Sequence, residues 1–198
     1  MDFKLFSFDD EVEQQDVKIT SAKMFKSSER IKTKLFLNKE KAKQIFTEIP
    51  EPGQSYHIVS NGVFDYFNLI PIAIEYLGNK TGDFYFSTWT LNNRIAEDIL
   101  KLYDDGKVKT VTGLVGLYFK SRETAVFNML YAGLKERNQR MFCNENHSKI
   151  TLIENGVDYL VIEGSANFTA NPRIEQFVIT NSKELYLFHK SWMDEIIK

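Results

Sequence analysis

Short apolar runs alternate with stretches of helical spacing through the middle of the chain. "HIVS" (57–60), "DFYFSTW" (83–89), "VKTVTGLVGLYF" (108–119), "RMFC" (140–143) and "EQFVIT" (175–180) are short and rich in β-branched and aromatic residues, as buried strands are. Between them, "RIAEDILKLYDDG" places Ile95, Ile99, Leu100 and Leu102 at helical intervals and stops at Gly106. Thr90, Asn92 or Asn93 is expected to cap that helix. "SRETAVFNMLYAGLKERN" is a second amphipathic helix, and residues 62–77 a third, entered from "HIVS". Asn181 and Glu184 have capping-box spacing before a closing helix, "KELYLFHKSWMDEII". The opening segment reads as an extended arm or strand, "IKTKLFL", then a short helix capped by Asn38 and ended by "IPEPG".

Strand and helix thus alternate, and a hairpin follows late. The fold expected is α/β, a mixed, mainly parallel sheet with helices on both faces. The simplest division is an N-terminal extension over 1–55 and one domain over 56–198. Any site should lie at the strand ends, where loops meet the sheet.

Asn155-Gly156, between two apolar runs, is a tight-hairpin signal. A turn there sets His147 opposite Gly164 and Ser165. Residues two apart share a strand face, so His147 would stand with Lys149, and Ser165 with Asn167. A histidine, an ammonium, a hydroxyl and an amide then converge on one patch, which suits a phosphodiester. Its anionic oxygens need donors or cations, phosphorus needs a nucleophile, and the leaving group needs an acid. Glu175, at the start of the next strand, is positioned to hold an imidazole tautomer. Read this way, phosphate or phosphodiester binding competes with an edge hairpin that carries ordinary polar residues.

Composition changes this picture little. The chain has 198 residues with a formal net charge of −2, so its overall field favours neither nucleic acid nor an anionic membrane. Basic residues crowd between Lys23 and Lys43, either as a solvated face or as a nucleic-acid contact. Cys143 is the single cysteine, which fits a reducing compartment, and its spacing to His147 is by itself a poor zinc signal. The N-terminus lacks a signal-peptide pattern, and "FNLIPIAIEYL" is too short to span a bilayer. A soluble, cytoplasmic protein without a membrane partner is expected. Gly113 and Gly116 lack the phosphate-loop pattern and read as packing glycines. Trp89 either stacks a base or packs, and Arg173 either contacts a phosphate or pairs with Glu175. Asn144 and Asn146 flank the patch without a clear role.

"HSKITLIE", "GSANFT" and "NPRIEQ" together resemble the HKD motif of the phospholipase D superfamily. His147, Lys149, Gly164, Ser165 and Asn167 match it directly, and Glu175 matches its later carboxylate. Glu154 stands where the family has a structural aspartate. The resemblance implies a phospholipase D-like fold and a phosphohistidine intermediate with no metal or other cofactor. It also implies two such motifs per site. This chain has one, because neither His57 nor His189 has a lysine two residues on. Small family members pair two chains across one site, and many are nucleases. The resemblance therefore implies a DNA-cleaving homodimer in which Lys149 and Asn167 hold phosphate, Ser165 supports them and Glu175 orients His147. A phospholipid or small diester is the rival substrate, and a non-catalytic nucleic-acid-binding or structural protein the rival class.

Overall fold

The computed structural model describes residues 24–26, 31–36, 42–60, 66–169 and 173–197. Its strands are β1 (Met24–Lys26), β2 (Ile31–Phe36), β3 (Ser55–Ser60), β4 (Thr81–Thr88), β5 (Val108–Gly116), β6 (Arg140–Asn144), β7 (Ile150–Glu154), β8 (Tyr159–Gly164) and β9 (Glu175–Asn181). The helices are α1 (Ala42–Ile45), α2 (Leu69–Tyr76, after a 3-10 turn Tyr66–Asn68), α3 (Asn93–Asp104), α4 (Leu117–Arg122), α5 (Thr124–Glu136) and α6 (Lys183–Ile196). Asn38 and residues 61–65 lie outside the described residues, as do most side chains of the basic stretch. Of that stretch, Lys43 pairs with Glu75 at 2.7 Å.

The nine strands among the described residues form one sheet in the order β1-β2-β3-β9-β8-β7-β4-β5-β6. The sheet is mixed but not mainly parallel, since five of its eight pairings are antiparallel and only β2–β3, β4–β5 and β5–β6 are parallel. The reason is the length of the connections. Parallel neighbours need a long crossover, which helices supply early in the chain, whereas β7, β8 and β9 follow one another with no helix between them. Nor does the hairpin hang at an edge. It is inserted in the middle, between β9 and β4.

Alternation along the central strands sends side chains to two cores. Phe84, Phe86, Ile153, Leu160, Ile162, Phe177 and Ile179 pack with α2, α3 and α5. Tyr85, Leu152 and Val161 pack under Tyr186 and Met193 of α6. Helices thus cover both faces, as expected.

Local signals explain most boundaries. Asn92 caps α3 by accepting from the Ile95 N–H at 3.0 Å, and Gly106 (φ +67°) lets the chain leave the helix. The cap of α6 is Ser182, which accepts from Leu185 N–H at 3.2 Å, and not Asn181. Asn181 is occupied elsewhere, accepting from Tyr159 N–H and donating to Pro50 O and Asp158. The strand expected to run through Phe119 stops at Gly116 and continues as α4.

The hairpin register also differs from expectation. A two-residue turn of the favoured kind needs positive φ at both central residues, but only Gly156 has it (φ +88°). Asn155 instead uses its side-chain oxygen to accept from the N–H groups of Val157 and Asp158, making a four-residue turn closed by Glu154↔Tyr159. The ladder therefore shifts by two residues. Lys149, not His147, faces Gly164, whose N–H donates to Lys149 O at 3.2 Å.

Candidate active site

Strand directions decide where the chemistry collects. Four successive antiparallel steps from β3 to β4 leave β3, β4, β5, β6 and β8 pointing the same way, with β7 and β9 opposed. The last residues of the first set, Ser60, Thr88, Gly116, Asn144 and Gly164, therefore share one edge with the first residues of β7 and β9, Ile150 and Glu175. Every motif residue except Glu154 lies at or beside that edge.

His147 is not on a strand but exposed in the connection from β6 to β7. Its loop is pinned by the next-door Asn146, whose amide donates to the carbonyls of Thr88 and Leu114 at 3.2 Å each. The oxygen of the same carboxamide accepts from Ser148 N–H at 3.1 Å, and the hydroxyls of Ser148 and Ser87 meet at 2.6 Å. Asn146 thus ties the histidine loop to β4 and β5. Sequence reading left Asn146 without a role and missed Ser87 and Ser148. Its one available signal was the polar pair Ser87-Thr88 closing an otherwise aromatic strand.

Lys149 is only 8% exposed. Its Nζ lies 3.0 Å from His147 Nδ1 and also donates to the His147 carbonyl. Burial pushes the ammonium below its usual pKa, opposed by the charge of Glu175. The Glu175 carboxylate, buried at the start of β9, accepts a hydrogen bond from Ser165 Oγ. Ser165 Oγ in turn accepts from Gln176 N–H at 3.1 Å, which fixes the β8 end against β9. Ser60, fully buried at the end of β3, stands opposite Glu175 in the ladder and had no sequence signal.

Asn167 follows Ser165 by two. Its neighbours hold the backbone, with Ala166 buried and Phe168 packed on the rings of Tyr66, Phe67 and Phe86 at 5.1–5.7 Å. The Asn167 side-chain oxygen is nevertheless buried with no hydrogen-bond partner among the described residues. An unmet polar atom costs about 1–3 kcal/mol, and a flip of the carboxamide presents donor or acceptor as a ligand demands.

Trp89 stands 5.2 Å from the His147 ring, centroid to centroid, and stacks on Tyr118 at 4.2 Å. Gly116 makes room for it, since a Cβ there would come within 2.6 Å of the indole. Gly113 likewise admits Phe86. Arg173 is exposed two residues before Glu175. Glu154 lies at the far end of the hairpin, accepting from Asp83 N–H at 2.9 Å and Gly156 N–H at 2.6 Å. Gly82 leaves space for it, because a Cβ would collide with its carboxylate. His57 is half-buried on β3, and His189 is buried in α6, where it accepts from Trp192 at 3.0 Å and approaches Glu163 at 3.4 Å.

No group of His, Cys, Asp and Glu among the described residues is arranged to hold a metal, and none of their helices is long and apolar enough to cross a membrane. No protein-family model and no curated protein matches the chain. Among solved structures, NucT from Helicobacter pylori is similar with a TM-score of 0.54 and 16% identity, over 73% of this chain and 96% of that one. That likeness shows a shared fold over most of both chains. TrmBL2, an archaeal chromatin protein with a novel mode of DNA binding, matches at a TM-score of 0.47 and 15% identity, over 72% of this chain and 51% of that one, too slight a likeness to bear on the fold.

Proposed function

We propose that this chain is a phosphodiesterase of the nuclease type, cleaving DNA without a metal ion through a phosphohistidine formed on His147. The observation that carries the reading is the buried Lys149 ammonium set against the His147 imidazole, at the same sheet edge as Asn167, whose side-chain oxygen meets no partner among the described residues. A cation and an amide held ready in a partly dry site suit the non-bridging oxygens of a phosphodiester. The positions of Ser165 and Glu175 agree with the motif that the sequence resembles.

The steps follow from charge. A phosphate entering between Lys149 and Asn167 draws the ammonium from the imidazole, leaving the ring free to attack. A P–N bond forms on His147, the P–O bond to the leaving nucleoside breaks, and an imidazolium opposite protonates the departing oxygen. Water deprotonated by that second ring then breaks the P–N bond and releases the phosphate. The second ring is His147 of another chain, because no other histidine here has the motif's lysine. Glu175 positions the ring and offsets the positive charge.

The test is plasmid nicking in EDTA, with acid quenching of enzyme on end-labelled DNA. Nicking without divalent ions is expected, with an acid-labile, alkali-stable adduct on the peptide containing His147. Cleavage that appears only with added magnesium, or an adduct on His57 or His189, contradicts the mechanism.

A further inference from the structure

We propose that the groove between α5 and the edge strand β6 is a track for single-stranded DNA leading to the site. The inference rests on the nuclease reading above and adds to it the form of the substrate and the path that it takes.

The groove has a volume of about 600 Å³. Three of its lining residues are cations, Lys120, Lys135 and Arg140, three are aromatic, Phe127, Tyr131 and Phe142, and none is a carboxylate. In a chain whose formal charge is −2, such a local excess selects for an anion. The aromatic residues narrow the class. Tyr131 is 44% exposed and lies parallel to Phe127 at 6.0 Å, so its outer ring face is open to a stacking partner. Cations along a backbone path with an open ring beside them fit unpaired bases, because bases in a duplex are already stacked on each other.

Position supplies the second argument. β6 closes the order of the sheet, and its residues from Arg140 to Cys143 all line the groove. It runs parallel to β5, and its end delivers the chain to the His147 loop. The groove therefore opens towards the active edge. Beside that opening α4 carries both Lys120 and Tyr118, and Tyr118 is the ring on which Trp89 stacks. Exposed rings thus stand at both ends of the path, Tyr131 in the groove and Tyr118 beside Trp89 and His147.

Two measurements test this. In a His147→Ala background, fluorescence anisotropy follows a labelled oligothymidylate and a duplex of equal length across a salt series. In the His147 enzyme, hydrolysis of bis(p-nitrophenyl) phosphate reports the chemistry with a substrate too small to reach the groove. Replacing Lys120, Lys135 and Arg140 together by Gln is expected to weaken oligothymidylate binding at least tenfold and to lower the salt slope by about 2. Tyr131→Ala should weaken it about tenfold, with Tyr131→Phe near wild type. All these variants should hydrolyse the small diester at the wild-type rate. Unchanged oligothymidylate binding overturns the track, as does an equal loss on duplex in both variants, which would mean charge without stacking. Loss of self-association in sedimentation, with DNA binding intact, assigns the groove to a contact between chains instead. If no variant and no wild-type enzyme hydrolyses the small diester, the phosphodiesterase reading fails, and the anisotropy still decides the groove by itself.

Discussion

The role proposed for Lys149 comes at some cost to the fold. Burial disfavours its charge more than Glu175 restores it, so its pKa lies below the usual 10.5. The unfolded chain then binds more protons than the folded one between the folded pKa and 10.5, and this group's contribution makes stability rise with pH through that window. Lys149→Met should leave the denaturation midpoint at neutral pH within about 1 kcal/mol of wild type and remove that alkaline rise, while turnover on a phosphodiester falls about 100-fold or more. A large loss of stability would show that the ammonium chiefly neutralises Glu175. Glu175→Gln keeps an acceptor for Ser165 but loses the charge, and should slow turnover about 10-fold or more with the fold intact. Glu154 is a different case. It reaches the N–H groups of Asp83 and Gly156 across the space left by Gly82, so Glu154→Asp is one methylene short and should cost about 1 kcal/mol in a melting experiment. Small-diester turnover should not change, since this carboxylate stands at the other end of the hairpin from His147.

The element that matters most is the connection between β6 and β7, which has no regular structure yet carries His147, the proposed nucleophile. Its position depends on Asn146, which donates to two carbonyls on two strands and accepts from Ser148. Asn146→Ala frees the loop, and a misplacement of about 1 Å is enough to cost about 100-fold in rate. Asn146→Asp should fail as badly, because a carboxylate cannot donate to the carbonyls of Thr88 and Leu114. The expected signature is a fall in kcat with KM little changed and an unaltered circular-dichroism spectrum. Equal turnover in Asn146→Ala would show that the loop is held by Ser87 and Ser148 alone. The β7–β8 turn is the counterpart at the far end. Gly156→Ala strains a residue at φ +88°, which should cost about 1 kcal/mol of stability and no activity at permissive temperature.

At the scale of the whole molecule, the proposed two-step chemistry needs an attacking imidazole and a protonated one on opposite sides of phosphorus, and each chain supplies one. A twofold contact bringing two copies of the active edge together would complete the site, and self-complementary contacts of this kind are the commonest in homodimers. Refolding wild-type chains with His147→Ala chains at several ratios tests this directly. Activity per total protein should fall as the square of the wild-type fraction. A linear fall would mean that each chain works alone, and an active monomer in sedimentation would refute the shared site.

The sequence by itself determined the local facts. Apolar alternation located the strands, Gly106 marked the end of α3 with its cap narrowed to Thr90, Asn92 or Asn93, and the residues from His147 to Glu175 suggested a phosphate site by their types and spacing. These signals act within a few residues, through side-chain geometry and backbone preference, so a single chain displays them. What only the tertiary structure decided depends on partners distant in sequence. The insertion of β9, β8 and β7 between β3 and β4 made the sheet mostly antiparallel, and it also brought seven strand ends to one edge. Asn181 could not cap α6 because Tyr159, Asp158 and Pro50 claimed its amide. Asn146 gained its anchoring role only when β4 and β5 offered their carbonyls. The depth at which Lys149 sits beside His147 is likewise a property of the packed edge, because burial, unlike periodicity, is set by what the rest of the chain places on top.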